Sequence, residues 1–403
     1  MVLEDICEFI VDCPHSTAPD EGRGYPIIRT PNVGKGRLIL DGVQKVSKET
    51  YDKRNVRAVP QKDDIIFARE APAGNAAIIR EGQEVCLGQR TVLIRPSKEK
   101  VYPQYLVYYM LAPQQQYELL GTANGSTVAH VNIPIIRKMP VELPNMNIQI
   151  KIADIISAYD DLIENNQKQI KLLEEAAQRL YKEWFVDLRF PNHENCKIVD
   201  GVPEGWKYLP LSEILDYVRG KSYTSKELSE NDEGTLMVNL KNIRAFGGYN
   251  RNAEKRYLGK YKDEQTLVSG DIIMGITDMT QERRLVGYVA LVPQSDEDMT
   301  FSMDLIKIIP KGVSKYFLYC SFNYGGVSRN ISQLANGVNV LHLKPDAMMG
   351  LRMLIPTNEI EKVFSDKLEI YQRKIEVLQK QIDGAKNARD RLLPKLMNGE
   401  IEI

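Results

Sequence analysis

Apolar residues fall along this chain in two rhythms. From about residue 147 to 184 they recur at steps alternating between three and four: Ile152, Ile155, Tyr159, Leu162, Asn166, Ile170, Leu173, Ala177, Leu180 and Trp184, with Asn166 as the polar member. From about 359 to 397 the rhythm returns, at Ile360, Phe364, Leu368, Tyr371, Ile375, Leu378, Ile382, Ala385, Arg389, Leu392 and Leu396. Charged and amide residues fill most positions between. So narrow a seam belongs to a helix paired with another helix; a helix lying on a globular core shows a broader stripe. Two long helices are expected, the second ending or kinking near Leu393 because Pro394 lacks a backbone donor.

Neither seam can stay exposed in water, and the two match in length. A globular segment separates them, so the simplest solution is an antiparallel intramolecular coiled coil; a homodimeric coiled coil is the alternative. At 1.5 Å per residue, about 37 residues make a rod of roughly 55 Å, with the globular segments expected at its opposite ends. Asn166 falls mid-seam, where a polar residue fixes register at some cost in stability. Asp160 and Asp161, like Glu174 and Glu175, read as solvated faces of the first helix.

Outside the helices the runs are short and β-branched: DDIIF, AAIIR and TVLIRP early, GDIIMGI, GYVALVP and LIKIIP later. Gly, Pro, Asp and Asn bound them, as they bound strands. The organisation is therefore α+β: a globular domain over 1–145, a helix over 146–186, a second domain over 187–357, and a helix and tail over 358–403. The two halves are copies. Ala123-Asn124-Gly125-x-x-Val128-x-His130 recurs 212 residues on as Ala335-Asn336-Gly337-x-x-Val340-x-His342. Pro144 and Pro356 keep that spacing, as do Tyr159 and Tyr371. Upstream, Asp64-Ile65-Ile66 matches Asp271-Ile272-Ile273, and Gly74-x-x-Ala77 matches Gly287-x-x-Ala290. Between these anchors the first copy has FAREAPA (67–73) and the second the longer MGITDMTQERRLV (274–286). Conserved strands around dissimilar polar loops suit two modules reading different targets; neutral loop drift after duplication is the alternative.

Composition narrows the classes. No apolar run approaches the roughly 20 residues of a membrane helix. The acidic start MVLEDICEFIVD lacks the basic segment of a secretion signal, so a cytoplasmic location away from membranes is expected. Cys7, Cys13, Cys86, Cys196 and Cys320 include no CxxC pair, which points to buried, reduced thiols and away from a zinc site or disulfide framework. The net charge of −1 differs from the strongly basic character of many nucleic-acid binders. Any DNA contact must then come from local basic clusters or from partner subunits.

Four segments carry a resemblance to a known family. DIIFAREAPAGNAAIIREGQEVCLGQRTVLIRP (64–96) closely resembles a target-recognition domain of type I restriction-modification specificity subunits, and GDIIMGITDMTQERRLVGYVALVP (270–293) resembles another variety of it. AYDDLIENNQKQIKLLEEAAQRLYKEWF (158–185) is similar to the family's central conserved region and LLPKLMNGEIEI (392–403) to its distal one. The resemblance implies a pseudo-twofold, circular arrangement in which the helices dock two modification (methyltransferase) subunits. It also implies that ATP-dependent restriction (endonuclease) subunits join. S-adenosylmethionine, ATP and Mg would reside on those partners, with no cofactor in this chain. Independently of the resemblance, two unlike readers held apart by a rigid rod suit a bipartite, asymmetric site on double-stranded DNA, two half-sites separated by unread bases. One departure stands out: Pro203-Glu204-Gly205-Trp206 leads into the second domain, whereas the first starts at Leu3-Glu4-Asp5-Ile6 without a counterpart. Either the start is placed late or the C-terminal tail completes that edge.

No catalytic constellation is evident. There is no Asn/Asp-Pro-Pro-Tyr/Phe run, and neither a strand-following GxGxxG nor a GxxxxGK[ST]. His15, His130, His193 and His342 lack metal-ligand spacing. His130 and His342 are repeat equivalents, which suggests a shared structural role. A self-contained methyltransferase or endonuclease is thereby disfavoured. A coiled-coil scaffold without a DNA role is disfavoured by the duplicated domains. Base edges are read by Arg on guanine, Asn or Gln on adenine, and Ser or Thr more loosely. The candidates are Arg69, Glu70, Gln89, Arg90, Asn124 and Ser126 in the first domain, and Thr277, Asp278, Thr280, Gln281, Arg283, Arg284 and Asn336 in the second. Phosphate contacts are expected from Lys35, Arg37, Lys53, Arg54, Lys241, Arg244, Arg251 and Lys255.

Overall fold

The computed structural model describes residues 1–121, 130–251 and 253–403. The chain divides into two compact units, residues 1–166 with 381–403, and residues 167–380. Both long helices contribute a segment to each unit. The architecture is α+β in both.

The main sheet of the first unit contains β1 (Cys7–Asp12), β2 (Ile65–Ala68), β3 (Ala76–Ile78) and β4 (Thr91–Pro96), in the order β1-β4-β2-β3, with Gly36–Arg37 added at the edge. All four residues of β2 are buried because both faces of the strand are covered. Ile65 and Phe67 enter a core shared with Tyr105, Leu106 and Ile152, while Ile66 and Ala68 enter another with Ile28 and Leu87. This double burial is why the run is continuously apolar rather than alternating. The helix Pro103–Leu111 starts with proline, whose missing donor costs nothing in the first turn, and packs Tyr105 and Tyr108 onto the sheet side.

The second unit repeats the plan with β5 (Leu215–Arg219), β6 (Ile272–Gly275), β7 (Val289–Leu291) and β8 (Leu305–Pro310), in the order β5-β8-β6-β7. The registers agree: Ile65 pairs with Ile94 and Ile78, and its repeat counterpart Ile272 with Ile308 and Leu291. The helix Lys315–Tyr324 takes the place of Pro103–Leu111, capped by Ser314, whose Oγ accepts from Tyr316 N–H at 3.2 Å. Beside each main sheet lies a smaller one built on a parallel pair, Tyr25–Ile28 with Cys86–Leu87 and Thr235–Val238 with Met299–Phe301.

The long helices are α1 (Met146–Tyr181), which continues through a wider turn at Lys182–Val186, and α2 (Asn358–Met397). In the first unit Asn166 Nδ2 donates to Gln381 Oε1 at 3.0 Å, Asp160 meets Arg389 at 2.7 Å, and Ile152 and Ile156 share a core with Leu396. Positions fall on one helix as they rise on the other, so the pairing is antiparallel. In the second unit Ala177, Tyr181 and Trp184 share a core with Phe364 and Leu368, and Trp184 stacks at 5.8 Å from Phe364. The seams thus close within one chain.

Three expectations about the helices change. The buried face of α1 slips by one residue near its middle, leaving Leu162 42% exposed while Ile163 is buried. The cause is that α1 there packs on the first domain as well as on α2, and Asp160 on that added face is only 4% exposed, so it is no solvated residue. α2 does not end at Leu393 but runs through Pro394 to Met397. The carbonyl that Pro394 leaves unpaired is that of the exposed Asp390, and Asn398 N–H still reaches Pro394 O at 3.0 Å. At the first domain's edge, Val2 forms a single bridge with Pro140, where the second unit has a ladder of Lys207–Pro210 on Arg352–Ile355. Leu392, Met397 and Ile401 pack on the adjoining core.

Candidate nucleic-acid interface

Most of the first-domain candidates converge at one end of the main sheet. Asp12 ends β1, Arg69 and Glu70 follow β2, and Arg90 precedes β4; antiparallel pairing brings those ends together. Arg69 donates through Nη1 to Asp12 Oδ1 at 3.1 Å and through Nε to Val131 O at 3.0 Å. Its Nη2 lies 2.8 Å from His130 Nε2. A guanidinium has only donors, so that ring nitrogen accepts and Nδ1–H of His130 donates to Glu70 Oε1, 2.5 Å away. The other Glu70 oxygen takes Arg90 at 2.5 Å, and His15 Nε2 lies 3.2 Å from Asp12. Gln89 Nε2 donates to His15 O at 3.2 Å. Arg69 and Glu70 are mostly enclosed, whereas the side chains of Arg90 and His15 are 62% and 72% exposed. Asn124 and Ser126 lie outside the described residues.

The second-domain candidates form one loop at the same end of their sheet. Thr277–Asp278 pairs with Leu341–His342, and Leu343 N–H donates to Ile276 O at 2.8 Å, as Val131 N–H donates to Arg69 O at 3.0 Å. His130 and His342 therefore hold equivalent backbone positions, although among the described residues only the His130 ring of the two joins a polar network. Asp278 is fully buried. Its Oδ1 accepts from the Thr280 backbone N–H and hydroxyl, both at 2.8 Å, and its Oδ2 from Leu285 N–H at 2.6 Å. Burial opposes the charge, but these hydrogen bonds outweigh it and hold the carboxyl below the usual aspartate range. Asp278 thus folds the loop, and the buried Thr277 donates to Asp304 at 3.1 Å. Thr280, Gln281, Arg284 and Asn336 remain exposed. Gln281 Nε2 donates to Val338 O at 2.6 Å, Arg284 pairs with Glu282, and Asn336 exchanges backbone bonds with His342. Arg283, half-buried at φ +54°, donates to Ser332 O at 2.8 Å.

The phosphate candidates divide more sharply. Lys35, Lys241 and Arg244 are exposed, and Lys53 is exposed beside Glu49 at 2.6 Å. Arg37 is instead fixed on α1, 2.7 Å from Asp161, 3.1 Å from Glu164 and 3.9 Å from Asp160. Arg54 is buried and donates to the carbonyls of Leu87, Ser16 and Pro14. Both charges are spent inside the protein, against expectation. Arg251 is half-buried, and Lys255 Nζ reaches Tyr223 OH at 3.0 Å. Sequence reasoning missed Asp12 and His15, which share no local motif with the loop residues they support. It also missed the repeat pair Asn32 and Asn242, whose Oδ1 atoms accept from Arg29 and Asn239 N–H at 3.2 and 2.9 Å.

Among the described residues no group of three or more His, Cys, Asp or Glu converges as a metal site would, and no helix is long and apolar enough to cross a membrane. Cys13, Cys86 and Cys320 are buried free thiols, while Cys7 and Cys196 are only half-buried. Burial pushes the Cys86 thiol up to about 11.

Two copies of one α+β plan with dissimilar polar loops at matching sheet ends define a duplicated recognition scaffold. The sequence model described as a type I restriction modification DNA specificity domain matches twice, over residues 1–175 and 203–387. The chain belongs to that family. It is 27% identical over 378 residues to the type I restriction enzyme MjaIX specificity subunit of Methanocaldococcus jannaschii, covering 91% of this chain and 83% of that one. It is 21% identical to the HindI specificity subunit of Haemophilus influenzae, covering 85% and 87%. Its fold is like the crystal structure of the type I restriction-modification S subunit from M. genitalium, with a TM-score of 0.57 at 14% identity over 98% of this chain and 95% of that one.

Proposed function

We propose that this chain is the DNA-sequence-reading subunit of a type I restriction-modification complex and carries no catalytic step itself. Each domain reads one half of a bipartite, asymmetric site on double-stranded DNA, and the helices set the unread spacer. The helices also dock two methyltransferase subunits, and ATP-dependent endonuclease subunits complete the assembly. S-adenosylmethionine, ATP and Mg belong to those partners.

One observation carries the reading: two sheets whose four main strands share one order, with matching register at the central strand, present different polar loops at equivalent ends. Equal scaffolds with unequal loops fit two unlike half-sites. Within the loops, exposure separates base readers from supports. Arg90 and His15 in the first domain, with Thr280, Gln281, Arg284 and Asn336 in the second, are the direct readers, and the half-buried Gln89 joins them through its place beside Arg90 and its bond to His15. Arg69, Glu70, Thr277, Asp278 and Arg283 hold them in place, and Lys35, Lys241 and Arg244 contact phosphates.

The test is reconstitution. Purified chain with S-adenosylmethionine and DNA should leave adenines unmethylated, and adding the methyltransferase partner should produce methylation at one bipartite sequence. Methylation by the chain alone would overturn the non-catalytic reading.

A further inference from the structure

The duplication allows each position of one unit to be compared with its counterpart in the other. Tyr102 N–H donates to Gln149 Oε1 at 2.9 Å, and Ser314 N–H to Glu361 Oε1 at 2.9 Å. Val33 bridges Leu38 as Ile243 bridges Tyr249. Ile152 and Phe364, and Ile156 and Leu368, are buried at matching turns of α1 and α2. These anchors put Gln372 in the place of Asp160, Ala177 in that of Arg389, Cys320 in that of Tyr108, and Gly248 in that of Arg37.

In the first unit the four residues form one buried network. Asp160 accepts from Tyr108 OH at 2.6 Å and from Arg389 Nη1 at 2.7 Å, with Arg37 Nε at 3.9 Å. Two guanidinium groups occupy the space between the helices and the domain. In the second unit neither counterpart of Arg37 and Arg389 carries a guanidinium, and all four counterparts line a cavity of about 110 Å³ that Arg244 and Arg251 border from other positions. That is less than the roughly 150 Å³ that admits benzene, but ample for a small head group.

The rest of the lining suits a cation. Tyr249, Tyr316, Tyr319, Tyr324 and Tyr371 contribute to the wall together with Glu174. Aromatic rings gathered beside a carboxylate are the side-chain types that recognise organic cations. Glu174 is exposed on α1 where it meets the cavity wall, the protein around it holds its carboxyl above the usual range against the opposing charge of Arg244, and a cation seated beside it would gain a direct charge partner. Arg244 and Arg251 also line the cavity and are the charges an incoming cation must displace or tolerate.

We propose that this cavity in the second unit is a binding site for a guanidinium-type organic cation, taking the place that Arg37 and Arg389 fill covalently in the first. Titrating the full chain calorimetrically with methylguanidinium chloride tests this. One saturable site is expected. Glu174→Gln should weaken it at least tenfold, Arg244→Ala should tighten it, and Ala177→Arg, which supplies a tethered guanidinium as Arg389 does, should abolish it. A thermal melt checks that Ala177→Arg folds, and Glu174→Gln serves if it does not. No saturable binding, or binding indifferent to Glu174→Gln, would overturn the proposal. This titration is independent of the functional reading above. The source of the cation is read separately, in the complex with the methyltransferase partner. Ala177→Arg weakens that assembly if a partner side chain fills the cavity, and leaves it unchanged if a free small molecule does.

Discussion

Replacing Arg389 by alanine should reveal how strongly α2 is tied to α1 through Asp160. Asp160 is 4% exposed and the Arg389 side chain 15%. Removing one partner of a buried ion pair costs about 3–5 kcal/mol, because the charge left behind is uncompensated. Tyr108 OH at 2.6 Å and Arg37 at 3.9 Å still face Asp160, so the lower end, about 3 kcal/mol, applies. Asp160→Ala should cost less, about 2 kcal/mol from the orphaned buried hydroxyl of Tyr108 and lost packing. Arg389 retains Asp390 at 2.9 Å, and Arg37 retains Asp161 and Glu164. The double variant should cost little more than Asp160→Ala alone. The assay is urea unfolding followed by far-UV circular dichroism, because Trp184 and Trp206, the two tryptophans of the chain, both fall in the other unit. Single effects that add to within about 0.5 kcal/mol in the double variant would mean the two side chains do not interact, and the network would be refuted.

Two further outcomes follow from single side chains. Asn166 is 2% exposed in the seam, bonded to Gln381 at 3.0 Å, while its repeat counterpart Leu378 is apolar; Asn166→Leu should raise the thermal midpoint, by about 1 kcal/mol of stability, and an unchanged or lower midpoint would count against its role as a register device bought with stability. Asp278 has a depressed folded-state pKa, so its contribution is complete above the ordinary value of 3.8 and is lost as pH falls through the folded value; stability curves of Asp278→Asn should therefore sit below the native chain at neutral pH and converge with it in acid.

What the sequence disclosed depended on how local the cause was. The seams of α1 and α2 were legible because a helix pair imposes its period on consecutive residues. The slip from Leu162 to Ile163 was not, because a third neighbour, the first domain, contributes to burial there. Asp160 looked solvated for the same reason: its hydrogen-bond donor Tyr108 and its countercharges Arg37 and Arg389 are far away in sequence. Arg37 and Arg54 read as free cations until tertiary structure brought carboxylates and carbonyls to them. Asp278 was partly readable, since Asp-x-Thr favours a side-chain-closed turn, but its complete burial was not. The repeat was the most reliable guide, because duplicated strands kept their hydrophobic spacing while the loops between them diverged.

The central claim, one half-site per domain, is tested most directly by exchanging residues 279–284 of the second loop and mapping methylated adenines across the genome of cells expressing the variant with its partner subunits. The account predicts that one half of the recognition sequence changes while the other half and the spacer persist. A change in both halves, or a methylation pattern identical to that of the native chain, would contradict it.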